Sequence, residues 1–409
     1  MANKYWEPKA LSAAQVGTIT ITYDAATTYT LTVGGVDLVS EVGVTDATTT
    51  ATNMITAWNL LTHPYASGIT AGSAAAVITF TADVAEVPFT VSGSVAGGTG
   101  TIGSYTATTA ATGPHTLDNP INWSGEAVPA NSDVIYFKDS AIDVAWGLAG
   151  LTTTGHTLIV EQTYTGKIGL DRAGVATSAD GQTTDTGAPE YRATYMQIEC
   201  AVLDIGVHDG TGDPGGSGRL KIDNDRAAAS ETTVHRTGAA GSEIGKPPVQ
   251  LLAANASANV NVRSGLVGIG VSAPGETSTV GNVNIQRGGV FLGDGVTVTN
   301  ITQHEGSSVV NIGAATLTKL LVHGGTITVN GDQAITTIEV TGGAVICNTT
   351  GTITTVTHQG GEIDYTQSPA ARTVTTHQLY RGATVRTDDD VVTITNLLEP
   401  DGPSVISVS

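Results

Sequence analysis

The chain has 409 residues, of which 40% are hydrophobic, 5% are aromatic and 51 are glycine, so any core must consist mainly of small and β-branched side chains. Lys and Arg number 17 against 37 Asp and Glu, which gives a net charge of −20 at pH 7. This acidic balance argues against a nucleic-acid partner and against binding to an anionic membrane surface. The 2 cysteines exclude a disulfide scaffold, and the sequence has no apolar run long enough to span a membrane.

Residues 1–106 predict a small α+β module in which strands flank one helix. Residues 17–33 alternate between apolar and polar side chains across a break at Asp24–Thr27, which predicts a hairpin. Alternation resumes at 74–82 and 87–95. The resulting order, β-β-helix-β-β, would pack one helix on one sheet.

The helix of this module is amphipathic. Asp46 is placed to cap its first turn by accepting a backbone hydrogen bond. Apolar side chains follow at helical spacing at Ala51, Met54, Ile55, Trp58 and Leu61. The His63-Pro64 pair ends the helix.

Residues 107–150 contain three prolines and little regular alternation, so we expect a linker and a cap for the domain that follows. Residues 151–409 predict that second domain. Two stretches within it, near 171–190 and 208–218, are rich in small and polar residues without periodicity, and we expect them to be loop insertions.

The last third of the chain repeats itself roughly every 18 to 21 residues. Six copies begin at Val280, Val298, Leu317, Ile335, Ile353 and Val374. Each copy predicts two short strands around a turn, which in the clearest copies holds a glycine pair such as Gly342-Gly343. Because one such unit cannot bury its inner face alone, the copies must stack. We therefore predict a mainly β chain whose second domain is a parallel β-helix with about 18–21 residues per coil.

The alternation also predicts which side chains point into the β-helix. In one copy these are Ile338, Val340, Val345 and Cys347. A left-handed triangular helix would need an aliphatic residue at every sixth place, and Thr341 stands at one of these places. We therefore favour a right-handed β-helix.

Histidines of the repeats fall at two kinds of position. His304 and His323 share the seventh place of adjacent copies, so we expect their rings to stack about 4.8 Å apart on an outer edge. Two stacked imidazoles could hold a metal ion, but Gln286 and Thr341 take the same place in the flanking copies and no carboxylate or cysteine shares it, so we predict no metal site. His358 falls on an inward position and is expected to be a buried polar rung.

Carbohydrate-cleaving β-helices need two carboxylates roughly 5 to 9.5 Å apart. Glu339 and Glu362 occupy different places of the regular copies, and hence different faces, so we predict no catalytic residue, no cofactor and no enzyme activity. The less regular coils, whose register the sequence does not set, are the alternative location for an active site. They carry four acids: Glu199, Asp204, Asp223 and Asp225.

Other reactive residue types predict structural roles. Asp209 and Asp213, or the run Asp388–Asp390, could gather oxygen ligands for a calcium ion, but both groups lack the ligand spacing of a dedicated calcium loop, so we expect solvated acids. Cys200 and Cys347 are separated by about eight coils, which is far beyond the reach of a disulfide. We expect both to be buried free thiols.

Several segments carry a family resemblance. TITITYDAATTYTLTVGGV, TDATTTATNMITAWN and AAVITFTADVAEVPFTVSGSV together resemble a module of tailed-phage and prophage structural proteins. The remainder, with INWSGEAVPANSDVIYFKDSAIDVAWGL and coils of the type TTIEVTGGAVICN, is similar to β-helix proteins encoded among phage head genes. The resemblance implies a virion structural protein that decorates or projects from a bacteriophage capsid.

This resemblance also implies partners and location. We expect assembly inside the host cytoplasm, in agreement with an N-terminal stretch that lacks the apolar segment of a signal peptide. The expected partner is a capsid protein, and the chain itself is expected to form a homo-oligomer, with a trimer as one option. Tyr5 and Trp6 are the candidate capsid contacts, because they precede the first predicted strand and have no assigned core.

Two other function classes remain open. A tail spike or fibre would bind, or cleave, glycans of the host surface. A bacterial surface adhesin would need an export signal.

Overall fold

The protein is mainly β, with 51% strand and 4% helix, and its largest part is a parallel β-solenoid. The computed structural model describes residues 1–170, 175–177, 183–185, 191–207, 219–237, 247–272, 275–387, 391–402 and 405–408. No helix among the described residues is long and apolar enough to cross a membrane.

A first strand, β1 (Asn3–Tyr5), precedes the N-terminal module. The module strands are β2 (Val16–Thr22), β3 (Thr28–Val33), β4 (Val36–Val42), β5 (Ile69–Ala74), β6 (Val77–Ala82), β7 (Ser92–Ala96), β8 (Thr101–Ile102) and β9 (Thr106–Thr109). They form two antiparallel sheets, β5-β6-β2-β8 with β9 beside β2, and β4-β3-β7.

The predicted hairpin between β2 and β3 is wrong, because these strands lie in different sheets. Asp24 fixes the corner between them. Its carboxylate accepts hydrogen bonds from the Ala26 amide at 2.7 Å and from the Thr99 hydroxyl at 2.6 Å. Strand β3 pairs instead with β4 and with β7, and Thr99, which follows β7, returns to this corner.

The predicted helix is confirmed as α1 (Ala47–Asn59), and Asp46 caps it by accepting a hydrogen bond from the Thr49 amide at 2.7 Å. Its buried side chains are Thr50, Ala51, Met54 and Trp58, while Ile55 and Leu61 pack at the edge of the module core. The indole of Trp58 donates to the carbonyl of Ile69 at 2.8 Å, which ties the helix to β5.

The rest of the chain contains a short 3-10 helix (Pro120–Asn122) and strands β10 to β33. The strands are β10 (Val134–Phe137), β11 (His156–Glu161), β12 (Val175–Thr177), β13 (Thr183–Asp185), β14 (Met196–Ile198), β15 (Cys200–Val207), β16 (Leu220–Asn224), β17 (Ser230–Val234), β18 (Val249–Val262), β19 (Leu266–Ile269), β20 (Ser278–Ile285), β21 (Gly289–Leu292), β22 (Val296–Gln303), β23 (Ser307–Ile312), β24 (Leu317–Val322), β25 (Thr326–Gly331), β26 (Ile335–Val340), β27 (Ala344–Cys347), β28 (Ile353–His358), β29 (Gly361–Asp364), β30 (Arg372–Leu379), β31 (Ala383–Thr387), β32 (Val392–Leu398) and β33 (Val405–Val408). Of these, β12 and β13 form a separate antiparallel pair.

The solenoid has two parallel sheets, which we call sheet 1 and sheet 2. Sheet 1 contains β1, β10, β11, β15, β17 and the even-numbered strands from β20 to β32. Sheet 2 contains β14, β16 and the odd-numbered strands from β19 to β33. The long strand β18 serves both, since its first residues pair with β16 and its last residues pair with β17.

The strand register confirms the predicted repeat. Leu317 pairs with Ile335, Ile335 with Ile353, and Ile353 with Val374, so the first residues of successive predicted copies stack on one another. The predicted inward side chains of one coil, Ile338, Val340, Val345 and Cys347, are at most 1% exposed. The fold class was therefore predicted correctly; the handedness of the coil stays a prediction.

The solenoid starts earlier than the repeats indicate. β10 lies within the segment predicted to be linker and cap, and about ten turns extend from there to residue 398. The early coils are long and unequal, since Val134 pairs with Thr157 whereas Leu158 pairs with Leu203, across nearly double that length of chain. The predicted insertion at 208–218 lies outside the described residues, as does 171–190 apart from the backbone of β12 and β13.

Outward-facing asparagines connect successive coils through their side chains. In sheet 1, Asn282 donates to Asn259 at 2.7 Å and Asn300 donates to Asn282 at 2.9 Å. In sheet 2, Asn330 donates to Asn311 at 3.0 Å and Asn348 to Asn330 at 3.2 Å. The side-chain amides of Asn282 and Asn330 each donate to one neighbouring coil and accept from the other, which adds a side-chain ladder to the backbone ladder.

Candidate functional sites on the solenoid

Trp6 belongs to the first coil of the solenoid. Strand β1 pairs with β10, and the Trp6 ring then lies 5.3 Å from that of Trp123 and 5.7 Å from that of Phe137. Trp6 is only 3% exposed. The premise that it has no core is therefore wrong, because distant pairing with β10 places its indole over the end of the solenoid core. Its side chain closes that core and is not a free contact surface.

Tyr5 is the last residue of β1 and remains partly exposed. Its ring stacks on that of Tyr136 with centroids 5.0 Å apart, and the Lys138 ammonium lies 5.2 Å from the Tyr5 centroid. A pocket of about 540 Å³ adjoins them, lined by Tyr5, Trp6, Glu7, Pro8, Lys138, Asp139 and Ser140. We call these residues, apart from the buried Trp6, together with Tyr136 the first-coil surface.

A second pocket, of about 410 Å³, lies between the N-terminal module and the solenoid. The Arg192 guanidinium stands 5.6 Å from the ring of Trp146 at this pocket and donates a hydrogen bond to the carbonyl of Pro88 at 3.1 Å. These contacts connect the solenoid to the module, so the pocket belongs to the junction between them.

The structure separates the four acids of the less regular coils. Asp204 faces outward on sheet 1, where its carboxylate is 3.1 Å from Nε2 of His235. Asp223 lies on sheet 2, and the exposed Asp225 follows it just after the strand ends. Glu199 is half-buried between β14 and β15. Within the predicted set, Asp225 lies near enough to Asp223 for its charge to affect that carboxyl group.

Asp223 is part of a polar cluster that the sequence did not reveal. Burial first, and then the nearby charges of Asp225 and Glu276, raise the pKa of Asp223 to about 6. Glu276 accepts hydrogen bonds from the Tyr195 hydroxyl at 3.0 Å and from the Ser272 amide at 2.9 Å, which stabilise its carboxylate. The two carboxyl groups therefore have different environments and act on each other through charge, a combination that acid–base sites use.

The members of this cluster come from separate coils. Tyr195 precedes β14, Asp223 lies in β16, and Glu276 lies between β19 and β20. No local spacing connects them, and only the solenoid winding brings them together. The one feature of the sequence that pointed toward this cluster was the presence of carboxylates outside the regular copies.

Carboxylates of the regular coils have structural partners. Glu339 lies 2.8 Å from Lys319 on sheet 1, and Glu362 lies 2.9 Å from Arg386 on sheet 2. Their separation onto different sheets is as predicted from their places in the repeat. These two acids pair with cations on neighbouring coils and do not face each other.

Comparison of the chain with protein-family models, curated protein sequences and solved structures found no match.

The two pairs of stacked histidines differ in environment. His304 and His323 are exposed, and their ring centroids are 4.8 Å apart, as predicted. His358 is fully buried, also as predicted, and stacks on the buried His377 with centroids 5.8 Å apart. No group of three or more His, Cys, Asp or Glu suited to a metal ion occurs among the described residues.

Both cysteines are buried free thiols, as predicted. Burial raises the thiol pKa of each, for Cys347 to about 11, so both stay protonated at neutral pH. Asp209, Asp213 and Asp388–Asp390 lie outside the described residues.

Proposed function

We propose that this chain is a non-enzymatic structural protein of a tailed-phage particle, docked on the capsid shell through its first-coil surface with the solenoid projecting away. The resemblance of its sequence segments to phage structural proteins supports the virion class. The observation that supports the docking surface is the partly exposed stack of Tyr5 and Tyr136, with Lys138 beside it, at one end of the solenoid. Tyrosine is one of the residue types that dominate protein interfaces.

The regular coils offer a contrasting surface. Their outward side chains on sheet 1 include a stack of Thr337, Thr355 and Thr376, in addition to the asparagine ladder. Small polar residues of this kind are poor anchors for a protein partner. The end of the solenoid is therefore the better docking surface than its sides.

An antibody label on whole particles tests the virion class. Label on the capsid, seen by electron microscopy, would support the proposal. Label confined to the tail would favour the tail-spike alternative, and label on the cell envelope would contradict both.

A double substitution tests the docking surface itself. We expect Tyr5→Ala combined with Lys138→Glu to lower the number of copies per particle, measured by quantitative mass spectrometry. Tyr380→Ala is the matched control, because Tyr380 is a partly exposed tyrosine near the other end of the solenoid. Equal incorporation of both variants would contradict docking through the first coil.

A second candidate function rests on the cluster around Asp223. If the chain is a spike that cleaves host glycans, Asp223 would act as the acid and Glu276 as its carboxylate partner. Incubation with capsular and lipopolysaccharide preparations would then release new reducing ends or unsaturated products. Release that Asp223→Asn or Glu276→Gln removes, and that Glu362→Gln leaves intact, would overturn the non-enzymatic proposal.

A further inference from the structure

His304 and His323 occupy one corner column of the solenoid, directly after the sheet 1 strands of adjacent coils. The His304 amide donates to the carbonyl of Ile285 at 2.8 Å, and the His323 amide donates to that of Gln303 at 2.8 Å. These backbone bonds continue the ladder into the corner, so the spacing of the two residues is fixed by the fold. The rings stack with centroids 4.8 Å apart and planes 22° from parallel.

The neighbouring coil orients one of these rings. Nδ1 of His323 lies 2.8 Å from the hydroxyl of Thr341, the next residue of the same column. A hydrogen bond at one ring nitrogen leaves the other as the nitrogen that can bind a ligand. Both rings are exposed, so a ligand from solvent can reach them.

We propose that His304 and His323 form an exposed site for a divalent transition-metal ion such as Ni²⁺, Cu²⁺ or Zn²⁺. Two imidazoles supply the protein ligands, and water fills the remaining positions. Metal–nitrogen bonds of about 2.0–2.1 Å require the two donor atoms to be roughly 3.3 Å apart in a tetrahedral arrangement. The exposed rings reach this separation by tilting their edges toward each other, while the backbone stays in place.

The overall charge of the chain favours a cation. The chain carries a net charge of −20. Glu305 follows His304 and pairs with Arg287 at 3.4 Å, an exposed contact that water screens strongly. Imidazole ligands select Cu²⁺, Ni²⁺ and Zn²⁺ over Mg²⁺ and Ca²⁺, which prefer oxygen. We expect Cu²⁺ to bind most tightly, in line with the general order of divalent affinities.

Neighbouring residues of the corner column suggest substitutions that remove the imidazoles without disturbing the fold. Gln286 and Thr341 hold the same place in the coils on either side, so His304→Gln and His323→Thr install residues that the corner already accepts. Isothermal titration of the full chain with NiCl₂ and ZnCl₂ measures binding. We expect the double variant to lose the site, with an unchanged thermal unfolding curve.

Two further variants distinguish this site from nonspecific metal binding by other histidines of the chain. Thr341→Val removes the hydroxyl that orients His323, and we expect it to weaken metal affinity by about tenfold. His63→Gln removes an imidazole far from the column and should leave the affinity unchanged. Unaltered titration of the double variant, or equal binding of Ca²⁺ by the intact chain, would overturn the proposal.

Discussion

Neighbouring residues of one coil should differ sharply in their tolerance of charge. Ile338 is 0% exposed, whereas Glu339 faces solvent and pairs with Lys319. We expect Ile338→Asp to cost at least about 4 kcal/mol, because its carboxylate would be buried without a partner. Glu339→Lys loses an exposed ion pair and should cost about 1 kcal/mol.

Thermal unfolding followed by circular dichroism compares the two variants. Ile338 is a cleaner position than Val340, which is in register with His358, an imidazole that could partner a new carboxylate. Similar melting temperatures would show that the strand register is shifted by one residue.

The buried pair His358 and His377 should make the protein sensitive to acid. Burial lowers the pKa of both imidazoles from 6.5 to about 4. Between these values the unfolded chain binds protons that the folded chain does not. The free energy of unfolding therefore falls as pH drops from 6.5 toward 4, by up to about 1.4 kcal/mol per pH unit for each histidine.

Replacement of His377 tests this origin of acid sensitivity. Within the described residues, neither ring nitrogen of His377 has a hydrogen-bond partner, and Val356 holds the equivalent place one coil earlier. We expect His377→Leu to raise the melting temperature at pH 5 more than at pH 7.5. His323→Thr changes an exposed imidazole and should leave this pH difference unaltered.

At the scale of turns, the stacking of coils limits which residues can replace the glycines at the corners. Gly306 and Gly382 have similar φ values, +90° and +94°. A Cβ on Gly306 would lie 1.8 Å from the carbonyl oxygen of Gly288, while a Cβ on Gly382 would meet nothing within 4 Å. We expect Gly382→Ala to cost about 1–2 kcal/mol from backbone strain alone. Gly306→Ala should cost at least twice as much, since a neighbouring coil must move.

The melting temperatures of these two variants measure that difference. Because both replacements share the unfavourable φ, the comparison isolates the contact between coils. Equal destabilisation would contradict the close approach at the corner.

Local elements could be predicted where the residues that determine them are close together in the sequence. The α1 cap at Asp46 depends on the nearby Thr49, and the turn after β26 depends on adjacent glycines. Strand β3 pairs with β7, which lies far along the chain, so the sequence pattern alone suggested a simple hairpin.

For the whole molecule, the buried contact that closes the first coil should contribute more to the free energy of unfolding than the partly exposed residues of that coil. We expect Trp6→Ala to cost about 3–5 kcal/mol, because its ring packs on Trp123 and Phe137. Tyr5→Ala should cost less, because its ring is partly exposed. Chemical denaturation of the two variants checks this order, and the reverse order would contradict the assignment of Trp6 to the core.

The pairing of β1 with β10 in the first coil shows why parts of the whole fold could not be predicted from the sequence. Similar coils from Val280 onward revealed their register, since each apolar place recurs in the next copy. Asn3 pairs with Val134 across the whole N-terminal module, and no local pattern carries that information. The cluster around Asp223 was hidden for a related reason, because its coils have unequal lengths.

The parallel stacking of coils also has a mechanical consequence. Each coil is held to the next by a ladder of hydrogen bonds, so a pull on the two ends of the solenoid would detach coils in sequence. Release of a regular coil such as that from Leu317 to Ile335 would lengthen the tether by roughly 60 Å, and release of the longer span from Leu158 to Leu203 by roughly 150 Å. A force–extension trace would then record the coil lengths in spatial order, with even steps from the repeats and long steps from the early coils.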